Sequence, residues 1–298
     1  MERTAAWNGI GTEFRTKSLH DAFKAYDLDY RVHAVPVSGI SEDGSTLQVP
    51  RCLLTYRTDT NQPFGIVSEK YPIIQNQEAL GFIEAIIGDS GMELVRGGHT
   101  SWGSYYMIGE LPEVQILEDT IRPHLIFQSS HDGSVPLKAT ICMLRMICQN
   151  QFAHSFKESP ATIRVLHKGN TEEKLKTAAT TLLGVREYIS TYGQKAEEYA
   201  GKKVTAKMLN KIIEGYFKSP DDATPRVEER IVQQRESFQS AYQELDNGNL
   251  RGTLWGVINA YTDYSTHRQV KNREGLFLDS INPVGDVSRF VTYVEEVA

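Results

Sequence analysis

Hydrophobic and polar positions divide this chain into two halves of different period. In the first half, YRVHAVPV (30–37) and RCLLTYRT (51–58) are rich in the β-branched and aromatic residues that a pleated strand favours. TDTNQP (58–63) is turn chemistry, so FGIVS (64–68) is expected as the returning strand of a hairpin. NQEALGFIEAIIG (76–88) changes the period: Leu80, Ile83 and Ile87 recur at helical spacing, with Gly88 as the expected stop. ELVRGGHTSWGSYYMIGEL (93–111) predicts a hairpin turning near Gly97-Gly98. IRPHLIFQSSHDG (121–133) then leads into VPLKATICMLRMIC (135–148), and antiparallel pairing through His131-Asp132-Gly133-Ser134 is the simplest arrangement.

The second half is helical. Asn170 and Glu173 form a capping box before a seam of Leu175, Ala178, Leu182, Val185, Ile189, Tyr192, Ala196 and Tyr199, in alternating steps of three and four. That spacing leaves two uses open: packing within the chain, or a homo-oligomer through the Leu175, Leu182, Ile189 helix. VTAKMLNKIIEGYF (204–217) is a shorter helix with Thr205 as cap, and SPDDATP (219–225) is a linker. Thr224-Pro225 starts a third helix whose seam is Val227, Ile231, Gln234, Phe238, Ala241 and Leu245, ended by Asp246-Asn247-Gly248. RGTLWGVINAYTDYSTH (251–267) reads as a last, aromatic-rich helix docked on the core. The fold class is therefore α+β: a mainly antiparallel sheet with a packed helix in residues 1–168, and a helical region in 169–298.

Composition narrows the setting. With 298 residues, 40% of them hydrophobic, the chain can bury a sizeable core. Its longest apolar run, ATICMLRMIC, is far shorter than a membrane span, and MERTAAWNGIGTEF carries no signal-peptide core, so a cytoplasmic protein is expected. Three cysteines argue against a disulfide framework. The net charge of −6 is uneven: residues 1–150 hold 12 Lys and Arg against 18 Asp and Glu, while 157–218 hold 12 against 7. Overall acidity weighs against nucleic-acid binding, yet a local basic stripe matters more than the sum.

No phosphate-binding glycine loop, paired zinc-ligand spacing or serine-hydrolase elbow is present in the sequence. His131-Asp132 is the best acid–base pair, although Asp132-Gly133 equally suits a turn with His131 closing a strand. Cys148 is a candidate nucleophile, or a small core residue. His131, Cys142 and Cys148 lack the spacing of a zinc site, so no metal and no cofactor are expected. Within 135–148, alternation puts Ala139, Ile141, Met143 and Arg145 on one face and Lys138, Thr140, Cys142 and Leu144 on the other. A guanidinium on the apolar face needs an internal carboxylate or the anion of a ligand, and both stay open for Arg145. Lys157, Arg164, His167, Lys168, Lys174 and Lys176 continue a basic string, with Phe152, Phe156, Tyr188 and Tyr192 as stacking surfaces or core.

The ordered set WNGIG (7–11), FGIVSEKYPIIQNQEAL (64–80), SSHDGS (129–134), LRMICQN (144–150) and GTLWGVINAYTDY (252–264) resembles the phage/plasmid-like protein family, a domain of unknown function (family 932). This chain has Trp7-Asn8 where the family carries a Trp-His pair. The resemblance implies a mobile-element setting in a bacterial cytoplasm, and the outline is similar to that of phage single-strand annealing proteins. Single-stranded DNA binding is the resulting expectation, with Lys138, Arg145, Arg164, His167 and Lys168 toward phosphates and Gln149 and Asn150 lining the same groove. The rivals are an enzyme for an anionic small molecule, using His131, Asp132, Arg145 and Cys148 in one pocket, and a non-enzymatic assembly or anti-defence protein.

Overall fold

Alternation builds the sheet, and long-range pairing decides which residues it presents. The structure, a computed structural model, describes residues 10–145, 150–157, 159–164, 171–245, 250–268, 282 and 284–298. Strands β1 (Thr12–Thr16), β5 (Glu93–His99), β6 (Ser104–Glu110), β8 (Asp119–Ser130), β9 (Lys138–Arg145) and β10 (Asn150–Phe152) lie side by side in that order. β7 (Val114–Ile116) pairs with β8, and β11 (Thr162–Arg164) pairs with β9. Every pairing is antiparallel. A separate antiparallel sheet is formed by β2 (Val32–Ile40), β3 (Thr46–Arg57) and β4 (Pro63–Ser68).

The expected hairpins over 51–68 and 121–145 are present. The second turns through Gly133 at φ 79°, where Asp132 Oδ1 accepts from the Ser134 amide and hydroxyl. Two local expectations are corrected. Gly97 and Gly98 lie inside β5 rather than at its turn, which instead comes at Gly103, φ 86°. A Cβ on Gly97 would sit 2.4 Å from the Tyr26 ring, so this glycine serves close packing within the strand. The helix over 76–88 is broken into α2 (Asn76–Leu80) and α3 (Ile83–Ser90), and it stops at left-handed Gly91, not Gly88.

Side chains on both faces of β9 are largely buried, Lys138 excepted, which explains why 135–145 reads as almost continuously apolar. Leu125, Phe127, Ala139, Ile141 and Met143 join a core that also contains α1 (Leu19–Ala25) and helices of the second half. Val95, Tyr106, Ile108, Ile126, Cys142 and Leu144 form a smaller cluster on the second face. The larger core runs without interruption from Leu19 to Val294, so sheet and helices share it.

Helix α4 (Thr171–Gly201) spends its seam on this core. Ala178, Leu182, Val185, Tyr192, Ala196 and Tyr199 are buried, and Ile189 packs against them. The Tyr192 ring meets Phe152 at 5.1 Å and Trp255 at 5.7 Å, while Tyr188 meets Phe156 at 5.7 Å. The Leu182–Ile189 stripe is thus satisfied within one chain and is not the face a second copy would use. For the same reason the four rings are core and not base-stacking surfaces. Asn170, the proposed start of the capping box, and the Leu175 side chain lie outside the described residues.

Helix α5 (Ala206–Tyr216) begins as expected, with Thr205 accepting from the Met208 amide, and α6 (Pro225–Gln243) has Pro225 in its first turn. α7 (Leu254–His267) is buried on nearly every side. It is not the last helix: α8 (Asp286–Val297) follows and stacks Phe290 on Tyr261 at 3.8 Å. Among the described residues, no helix is long and apolar enough to cross a membrane.

Candidate nucleic-acid interface

Pairing across the second face of the main sheet assembles rows from residues far apart in sequence. One row runs Gly98, Tyr106, Gln128, Lys138, Arg164, across β5, β6, β8, β9 and β11. The adjacent row is Arg96, Ile108, Ile126, Thr140, Thr162, with the Thr140 and Thr162 hydroxyls 3.3 Å apart. In the second row Ile108 and Ile126 are apolar, flanked by Arg96 on one side and the two threonines on the other.

Lys138 is half-buried, and burial by itself pushes its ammonium pKa down. Among the described residues, no carboxylate offsets that cost. Gln128, its partner on β8, is only 8% exposed, and its Oε1 accepts no hydrogen bond from the described residues. Such a buried carbonyl forgoes about 1–3 kcal/mol of solvation unless a donor reaches it. On the other side, register sets Arg164 directly opposite Lys138. An anion at this row would offset the burial of Lys138.

The remaining expected residues are placed elsewhere. Arg145 pairs in register with Asn150 on β10 and Ile121 on β8, seven residues along β9 from Lys138, or roughly 23 Å. Cys148, Gln149, His167 and Lys168 lie outside the described residues, as do the side chains of Arg145, Asn150 and Arg164. Lys157 and Lys176 are exposed. The sheet therefore brings Lys138 to Arg164 and Arg145 to Asn150, at opposite ends of one strand.

His131 and Asp132 do not act as a pair. The His131 ring, 3% exposed, stacks between Tyr105 at 5.0 Å and Phe64 at 5.6 Å, and Nε2 donates to Asn76 Oδ1 at 2.9 Å. Burial pushes its pKa down to about 4, so it is neutral at physiological pH. Asp132 is half-buried in the turn, serving Ser134. The pocket that would join His131 to Arg145 is not formed, because Arg145 pairs with Ile121, ten residues down β8 from His131 and about 33 Å away. His131 is a wedge that seats α2 and the small sheet on the main sheet, and Thr55 Oγ1 donates to its carbonyl at 2.9 Å.

Sequence reasoning missed a dense charged cluster around Arg57. The Arg57 guanidinium donates to both Asp27 oxygens at 2.7 Å and to Asp59 at 2.7 and 2.9 Å, with its carbon 4.3 Å over the Tyr30 ring. His99 Nε2 meets Asp27 at 2.9 Å. Arg57 hydrogen bonds, with help from His99, hold the Asp27 carboxyl down at about 2. Only the Arg57-x-Asp59 spacing hinted at this clamp, since Asp27 and His99 are distant in sequence. Among the described residues, no group of three His, Cys, Asp or Glu side chains could hold a metal ion.

Comparison with known proteins adds one match. A family model described as "Domain of unknown function (DUF932)" matches residues 63–286, about three-quarters of the chain. No curated protein and no solved structure matches it. The matched span runs from β4 to the first residue of α8 and includes the Gln128–Lys138–Arg164 row, the His131 wedge and the helices packed behind them. The chain belongs to the DUF932 family, a domain of unknown function.

Proposed function

We propose that this protein binds single-stranded DNA through the Gln128–Lys138–Arg164 row and serves annealing in the DNA metabolism of a phage or plasmid, without a cofactor. The observation that carries the reading is a half-buried lysine with no carboxylate partner among the described residues, in register with an arginine. A phosphate between them supplies the missing counter-charge, and an amide or sugar hydroxyl donor satisfies Gln128. Sequence reasoning adds His167 and Lys168 to the same path, whereas Arg145 and Asn150, expected in the same groove, pair at the other end of β9. Because the whole chain carries −6, the attraction is local and vanishes steeply with salt.

Fluorescence anisotropy with a labelled single-stranded oligonucleotide, at low and moderate salt, is the direct measurement. Lys138→Glu is expected to weaken binding at least tenfold and to make the salt dependence shallower, by about 0.7 in log–log slope for each phosphate that the protein no longer neutralises. Absence of binding at micromolar protein in low salt ends the reading.

A second reading, self-assembly, is favoured by the projecting β2–β3 hairpin. Ile40 is 83% exposed and Leu47 57%, and neither belongs to the core among the described residues. Light scattering of the protein and of Ile40→Ser/Leu47→Ser decides it: a monomer at high concentration in both counts against assembly through this arm.

A further inference from the structure

A concavity open to solvent lies in the helical half, where the end of α5, α6, α7 and the start of α8 border about 360 Å³. Three cations reach it, Lys218, Arg230 and Arg268, against one carboxylate, Asp286. That carboxylate is already engaged: Ser265 Oγ donates to it at 3.2 Å, and Arg268 and Arg289 pair with it at 3.3 and 3.5 Å. Lys218 and Arg230 are exposed, and neither has an ion-pair partner among the described residues. The cationic excess of the cavity therefore resides in these two side chains.

The wall beneath them is aromatic. Tyr261 and Phe217 are spent inside the core, where their rings meet Phe290 and Phe238. Tyr216 and Tyr264 also meet neighbouring rings, but they are only half-buried and line the cavity. Two uncompensated cations beside two half-buried aromatic side chains is the chemistry that recognises a planar ring carrying an anion. The volume lies at the small end of ligand pockets, enough for one base with its sugar and phosphate and too small for a longer stretch of strand.

We infer that this cavity binds one nucleoside monophosphate unit, with its phosphate between Lys218 and Arg230 and its base against Tyr216 and Tyr264. The unit is either a free nucleotide or the 5′-phosphorylated end of a strand. The inference is independent of the sheet row, because none of the row residues lines this cavity.

The test is calorimetric titration of the full chain with AMP and dTMP, with adenosine and inorganic phosphate as partial ligands. A nucleotide is expected to bind at least tenfold more tightly than either partial ligand. Lys218→Ala/Arg230→Ala removes only exposed side chains and is expected to weaken it at least tenfold. Lys138→Glu is expected to leave it unchanged, which separates this site from the proposed DNA row. If free nucleotides do not bind, a 5′-phosphorylated oligonucleotide whose affinity falls in the double variant, beside an unphosphorylated one whose affinity does not, assigns the unit to a strand end. Inorganic phosphate binding as tightly as AMP, a double variant with unchanged affinity, or no binding of nucleotide or 5′-phosphorylated strand at millimolar concentration each overturns the inference.

Discussion

His131→Phe should change the acid stability of this protein in a way that only a buried, neutral histidine explains. The wild-type ring is 3% exposed and its pKa falls to about 4, against 6.5 for an ordinary histidine. Protons therefore bind the unfolded chain more readily than the folded one. Stability from this group is complete above pH 6.5, is lost as pH falls from 6.5 towards 4, and levels off below. The loss amounts to about 2 kcal/mol at pH 5 and about 3 kcal/mol at pH 4. Phenylalanine keeps the stack on Tyr105 and Phe64 but leaves Asn76 Oδ1 without its donor, which costs about 1–3 kcal/mol at pH 7.5. The wild-type advantage should therefore shrink with acid and disappear near pH 5. Urea denaturation followed by circular dichroism, at several pH values between 7.5 and 4, measures both curves. A constant offset between them across that range would refute the reasoning, since it would mean that His131 takes up its proton equally in both states.

Other substitutions probe the rest of the structure. Arg57→Ala removes a guanidinium that bridges two half-exposed carboxylates, so unfolding free energy should fall by about 2 kcal/mol and the Asp27 carboxyl, followed by NMR titration, should return to the ordinary range. Gln128→Met deletes the orphaned Oε1 and should raise stability by about 1 kcal/mol in denaturant titration while weakening single-stranded DNA binding. Phe290→Ala, at 0% exposure and stacked on Tyr261, should cost about 3–5 kcal/mol, whereas Ile40→Ser, at 83% exposure, should stay within about 0.5 kcal/mol; thermal denaturation of the two side by side checks the burial assignment.

What the sequence by itself determined was local. Period-two alternation with turn residues foretold the β3–β4 and β8–β9 hairpins, and caps at Thr205 and Thr224-Pro225 foretold the starts of α5 and α6, because each signal lies within one or two turns of chain. It could not tell a turn glycine from a packing glycine. Gly97 is in a strand because Tyr26, seventy residues earlier, closes on it. Nor could it choose between a self-satisfied and an intersubunit seam in α4, since both have the same spacing; Phe152 and Trp255 decided that.

The candidate site divides in the same way. Lys138 and Arg164 stood out as basic residues, but their opposition, and the presence of Gln128 beside them, depend on the register of β8, β9 and β11. The Arg57 clamp and the cavity under Lys218 and Arg230 each draw on residues separated by tens of positions. Strand and helix periods are short-range properties of a chain. Which side chains share a row, a clamp or a cavity is set by how those elements bury one another, and only the tertiary structure decided it.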